Sequence, residues 1–258
     1  MIAEITHHGR AFRVDLSKPI DLSHPLHEGE NQLRAWWVEP VRMEPVRSQN
    51  SAGGEIEYAV KSGSPVNFRN IFFNPHGHGT HTESVGHIAP EVYPVGEQLK
   101  RYFFTAQLVS LRPEERRAPD AKNDQVITLE QLRHTVNERA PEALVIRTLP
   151  QKDNAAKDWS GSNPTYLQST ACAWLRSIGV KHLLLDLPSV DREEDGGVLA
   201  AHHAFWDFPN TVDRERTISE LLNIPGEVRD GDYLLELQLP HFMNDAAPSR
   251  PILYALLP

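Results

Sequence analysis

Four of the 13 histidines in this 258-residue chain fall between positions 76 and 87. They lie in Asn74-Pro75-His76-Gly77-His78-Gly79-Thr80-His81-Thr82-Glu83-Ser84-Val85-Gly86-His87. Imidazole and carboxylate together suit borderline cations such as Zn²⁺ and Mn²⁺. His81 and Glu83 stand two residues apart. On an extended chain they point to the same side. On a helix they would lie about 200° apart and could not share an ion. They form a ligand pair only on a strand or an extended loop. His87, further along, suits an acid/base beside a bound water better than a place in the same shell. The interleaved glycines permit the close approach that converging side chains need. A His-rich surface loop and an anion-binding turn are the competing readings of this cluster.

A metal site takes three or more protein ligands, so the rest must come from elsewhere. His202 and His203, in Ala201-His202-His203-Ala204, and Glu220, in Thr217-Ile218-Ser219-Glu220-Leu221-Leu222, are the next candidates. Taken alone, the histidine pair also fits a helix surface and Glu220 a solvated carboxylate. The single cysteine, Cys172, excludes an internal disulfide framework and a thiolate-rich zinc module. A net charge of −9 does not attract nucleic acid or anionic lipid. No glycine-rich nucleotide motif is present, and no nucleophile elbow surrounds Ser189. No run approaches the ~18 apolar residues of a membrane span. The N-terminus lacks the basic start and apolar run of a secretory signal, so a cytoplasmic location is expected.

The elements that must position these groups are legible as apolar runs. Arg69–Phe73, Phe103–Leu111, Ala143–Leu149, His182–Leu187, Tyr233–Leu239 and Ile252–Leu257 have strand length, and most show little alternation, as expected for strands covered on both faces. Thr128 and Gln131 fit a capping box, followed by Leu129, Leu132 and Val136 on one helical face, with Pro141 as the stop. A second helix is predicted over residues 169–178, with Ala171, Trp174, Leu175 and Ile178 as its apolar stripe and Gly179 just beyond its end. Strand, helix, strand, helix, strand over residues 103–187 argues for an α/β layer architecture. The first 70 residues read as irregular with short strands such as Phe12–Leu16. Trp36 and Trp37 suit either an aromatic pocket wall or ordinary packing. Glu193-Glu194-Asp195-Gly196-Gly197 reads as a solvated acidic turn, and Cys172 as buried and inert.

Several segments together resemble the metal-dependent cyclase family, which includes kynurenine formamidases and isatin hydrolases. Residues 79–87 are similar to its His-x-Gly-Thr-His-x-Asp-x-x-x-His motif. Asp21-Leu22-Ser23-His24-Pro25-Leu26, Ala143–Thr148, Leu185–Asp191, Ala201-His202, Glu220-Leu221-Leu222 and Pro248-Ser249-Arg250 resemble other family segments in the same order. The resemblance runs over about residues 20–257. It implies one domain spanning 1–258, a mixed-sheet, swivelling β/β/α fold, a homodimer or homotetramer, and one or two Zn²⁺ or Mn²⁺ ions.

It also implies a metal-dependent hydrolase acting on an amide or lactam-like C–N bond through an activated water. A non-catalytic binding member, or a cyclase or dehydratase on the same site, stands as the alternative. By position, His81 is a ligand and Glu83 replaces the family's metal-bridging aspartate. His202 and Glu220 match ligands of a second ion, and His87 matches the acid/base. The family's first histidine falls on Gly77, which has no side chain. His76 or His78 must substitute by way of a bulge, and His76 is favoured because it follows the end of a strand.

Overall fold

The computed structural model describes residues 1–7, 9–29, 31–51, 53–118, 123–137, 141–151 and 153–257. Strands β1 (Ile2–His7) and β2 (Arg10–Asp15) form a hairpin, and β3 is Ile20–Asp21. Two small ribbons follow: β4 (Arg42–Pro45) pairs with β7 (Arg69–Phe72), and β5 (Arg47–Gln49) with β6 (Glu55–Glu57). Next come β8 (His81–Glu83), the single-turn helix α1 (Val95–Gln98) and β9 (Phe103–Leu111). A side sheet of β10 (Glu114–Arg117), β11 (Asn123–Ile127) and β13 (Tyr166–Leu167) surrounds helix α2 (Leu129–Thr135) and β12 (Ala143–Thr148) in sequence. The chain ends with α3 (Ser169–Ser177), β14 (His182–Leu185), α4 (Ala200–Trp206), β15 (Thr217–Glu220), β16 (Gly231–Glu236), β17 (Ala246–Pro248) and β18 (Ile252–Leu257).

Among the described residues, one large mixed sheet runs β1-β2-β18-β16-β9-β12-β14-β15-β8-β17, with β3 against β18. Its centre, β9-β12-β14-β15, is parallel, because a helix connects each successive pair. β8 joins β15 antiparallel, with His81 opposite Glu220 and Glu83 opposite Ile218. The sheet therefore changes direction where the candidate ligands meet.

Side-chain alternation on β12 divides the core. Leu144 and Ile146 pack with Leu132, Leu175 and Phe205 of the helical layer. Ala143 and Val145 face Leu22, Leu222, Leu235 and Leu253 on the other side. Burial on both faces explains why this strand reads as one continuous apolar run. The mixed α/β architecture agrees with the sequence reading.

Several local expectations need correction. β7 is exposed along its whole length, with Ile71 and Phe72 in solvent, so this apolar run is not a covered strand. The β1–β2 hairpin pairs six residues on each side and extends the main sheet, so the N-terminus is more regular than it reads. The capping box is present: Thr128 Oγ1 accepts from the Gln131 N–H at 3.3 Å, and Gln131 Oε1 accepts from the Thr128 N–H at 3.0 Å. That helix ends at Thr135, before Pro141, because Val136 turns to extended backbone. Glu193 is not simply solvated; it accepts from the Gly161 and Asn163 N–H groups at 2.6 and 2.9 Å. Ser189 Oγ accepts from the Asp191 N–H at 3.1 Å, a turn contact. Cys172 is fully buried in α3, and burial pushes its thiol pKa up.

Candidate metal centre

The site lies past the carboxyl ends of β14 and β15, where open α/β sheets leave a crevice. β8 delivers His81 and Glu83 from the strand conformation that their spacing requires, and both are fully buried. Glu220 ends β15. His202 comes from α4, and His87 from a one-turn 3-10 helix, Val85–His87. That turn packs so closely under Val92 that a Cβ on Gly86 would overlap the Val92 carbonyl.

His76 sits in a turn, not a bulge. Asn74 Oδ1 accepts from the His76 and Gly77 N–H groups at 2.9 and 3.1 Å, which curls the chain after β7. The bulge expected from sequence is therefore replaced by an Asx-type turn. His78 points away from the site. Its Nδ1 accepts from the Asn74 N–H and its Nε2–H donates to the Glu39 carbonyl, both at 2.8 Å. With both nitrogens occupied, His78 is structural and His76 is the histidine that reaches inward.

Three histidines share one arrangement. His81 Nδ1–H donates to the Gly79 carbonyl at 3.2 Å, leaving Nε2 3.6 Å from Glu220 Oε2. His202 Nδ1–H donates to Asp191 Oδ2 at 2.6 Å, leaving Nε2 3.1 Å from Glu83 Oε1. His76 Nε2–H donates to Asp245 Oδ2 at 2.8 Å, leaving Nδ1 3.0 Å from Glu83 Oε2. His87 is the most accessible of the four, with Nδ1 3.8 Å from Glu83 Oε2 and 3.6 Å from Asp245 Oδ2. All the predicted site residues converge here. Glu220 reaches the cluster through His81 rather than His202, and its Oε1 accepts from the Val190 N–H at 3.1 Å. His203 turns away, its Nδ1–H donating to the Phe208 carbonyl at 3.0 Å.

Two site residues carry no sequence assignment. Asp191 lies within a segment quoted for its resemblance, but with no role. Asp245 lies 169 residues from His76, beside no histidine in sequence. Its only sequence signal is its place three residues before Pro248.

The electrostatics follow from four carboxylates meeting in a buried space. Desolvation pushes Glu83 up, but His87, His202 and His76 outweigh it and hold it well below its ordinary value. Burial and the charge of Glu83 push Glu220 up. Burial pushes His76 and His202 down, yet their carboxylate partners hold each at about 10. The pocket therefore stores positive charge, as protons or as a cation.

The donor set fits a divalent ion. His81 Nε2 and Glu83 Oε2 are buried without a hydrogen-bond partner. Glu83 Oε2 lies 3.0 Å from His76 Nδ1. Such groups are costly when buried unless something satisfies them. His76, His81 and Glu83 form one three-residue group able to hold an ion. Glu83, His87 and His202 form another, and His76, His87 and Asp245 a third.

The Cyclase family profile, described as Putative cyclase, matches residues 20–192. The chain belongs to the cyclase family. A kynurenine formamidase from Bordetella petrii is 25% identical to it over 244 residues, covering 94% of this chain and 97% of that protein. Isatin hydrolase A from Labrenzia aggregata superposes with a TM-score of 0.62 at 13% identity, covering 92% of this chain and 93% of the other. A predicted metal-dependent hydrolase from Bacillus stearothermophilus gives 0.58 at 17% identity, covering 92% and 98%. At these identities the two structures speak for the fold. This cyclase-family chain departs from the family motif at Gly77 and Glu83, both within its most specific segment.

Proposed function

We propose that this chain is a metal-dependent hydrolase that opens a C–N bond of a small amide or lactam-like carbonyl substrate. The observation that carries the reading is the shared orientation of His76, His81 and His202. Each gives one ring nitrogen to a fixed acceptor and turns the other toward Glu83 or Glu220. These five side chains would hold one or two divalent ions, with Zn²⁺ or Mn²⁺ suiting the donor set. A bound ion supplies Lewis acidity, polarising a carbonyl oxygen and lowering the pKa of water.

The chain's own residues do the rest. His87 is the proton carrier: it is the most accessible of the four histidines, and it faces Glu83 and Asp245 at distances too long for strong hydrogen bonds. It accepts a proton on the attacking side and returns it to the departing nitrogen. Asp191 and the Gly79 carbonyl fix the tautomers of His202 and His81. Similarity to a kynurenine formamidase over nearly the whole chain supports an amide substrate. The net charge of −9 favours a small molecule over nucleic acid. The rival reading, a non-catalytic binding member, draws on the missing ligand at Gly77; His76 beside Glu83 weighs against it.

Metal analysis and hydrolysis of N-formyl arylamines and aromatic lactams, in wild type and His81→Ala, test the reading. Wild type should retain metal and turn over at least one of these classes. His81→Ala should lose more than the roughly 10–100-fold that follows loss of an outer partner alone. Full activity in that variant, or wild-type protein without metal after reconstitution, overturns it.

A further inference from the structure

We infer that Asp245 is the positioning residue that makes His76 a metal ligand in place of the one position 77 cannot supply. The inference rests on the hydrolase reading above. The need for it is steric. A Cβ at Gly77 would lie 2.7 and 2.8 Å from the two methyl groups of Val38 and 3.2 Å from the Ala35 carbonyl oxygen. The crossing segment is held there, because the Ala35 N–H donates to the Gly77 carbonyl at 3.0 Å. A side chain at 77 has no room, so the ligand must come from a neighbour.

His76 lies in a turn, where no strand register aims its ring. Asp245 aims it. Its Oδ2 takes the Nε2–H at 2.8 Å and leaves Nδ1 beside Glu83 Oε2. His202 is held the same way by Asp191, with its other ring nitrogen 3.1 Å from Glu83 Oε1. Glu83 thus meets one carboxylate-anchored histidine on each oxygen. Such an outer carboxylate sets the tautomer and ring orientation of a ligating histidine and raises its basicity. The two anchors differ in their partners. Asp191 also accepts from the Ala201 and His202 N–H groups at 2.7 and 3.1 Å. The Asp245 carboxylate has His76 and, at 3.6 Å, His87 as its neighbours. The ligand displaced to position 76 therefore depends on one carboxylate that sequence does not place near it.

The test titrates the metal-free full chain with Zn²⁺ against a chromophoric chelator. It compares wild type, Asp245→Ala, His76→Ala and the double variant. Asp245→Ala should bind Zn²⁺ roughly 10–100-fold more weakly. The double variant should bind no more weakly than His76→Ala alone, because Asp245 acts through His76. A merely structural role would instead add to the loss. Asp245→Asn, which keeps the shape and removes the charge, makes the same comparison if the alanine variant does not fold. Wild-type affinity in the Asp245 variants, or losses that add in the double variant, overturns the inference while the metal site stands. A wild-type chain with no affinity for Zn²⁺ sinks the hydrolase reading itself.

Discussion

Two ends of the same parallel strands bury histidine in opposite ways. At the amino end, His182 opens β14, with Nδ1 2.9 Å from Thr217 Oγ1 and its ring 4.0 Å from that of Phe104. Burial, then Arg101, Lys181 and Arg216, push its pKa down to about 3. At the carboxyl end, His202 is equally buried, but Asp191 and Glu83 flank it and hold it at about 10. Depth alone therefore does not set the state of a buried histidine. One pocket rejects positive charge and the other collects it, and only the second can serve a cation.

The largest expected break in this contrast is His202→Ala. It takes one histidine partner from each of the buried carboxylates Glu83 and Asp191, and metal affinity should fall by more than about 100-fold. His182→Gln should leave metal binding unchanged. Chelator competition on both variants reads the difference.

Metal removal comes next. An ion that binds the folded chain at 100 times its Kd adds about 2.7 kcal/mol of stability. For a chain of this size that is roughly 5–10 °C in Tm. Melting with and without a chelator should show the shift in wild type and in His182→Gln, and a much smaller one in His202→Ala.

Acid should then expose the other pocket. The unfolded chain protonates His182 near pH 6.5, whereas the folded chain keeps it neutral until about pH 3. Its contribution is present above pH 6.5 and is lost as pH falls between those values. At pH 5 the loss is about 2 kcal/mol. Denaturant unfolding at pH 7 and 5 should show that much less acid sensitivity in His182→Gln; an unchanged difference would falsify the assignment.

The smallest effect sets the scale away from both pockets. Thr128→Ala removes one half of the α2 capping box and should cost about 1 kcal/mol, with metal affinity untouched. Chemical denaturation and the chelator titration check both parts.

How much was legible beforehand follows the range of each signal. The capping box at Thr128 and the continuous apolar run of β12 are local patterns with one physical meaning, and both stand in the fold. The exposed β7 run shows the limit: apolar composition indicates a strand, but not whether anything covers it. In the site, His81 and Glu83 were legible because a spacing of two has one geometry on a strand. Spacing left His76 and His78 open with His76 favoured, and in the fold His76 turns toward Glu83 while His78 does not. Glu39, remote in sequence, takes the second nitrogen of His78. Asp245 was not legible, because a single carboxylate gives no periodic or motif signal.

By itself the sequence determined the residue types of the candidate centre, the extended backbone that two of them need, the α/β layering and the family. Those depend on short-range periodicity and on ordered motifs. The tertiary structure alone decided which nitrogen of each histidine turns toward Glu83 or Glu220, which carboxylates anchor them, and what stands against a side chain at position 77. Those depend on contacts between segments up to 169 residues apart, Asp245 with His76 among them. Val38 against Gly77 is a contact of the same kind, made by folding and invisible to any local pattern.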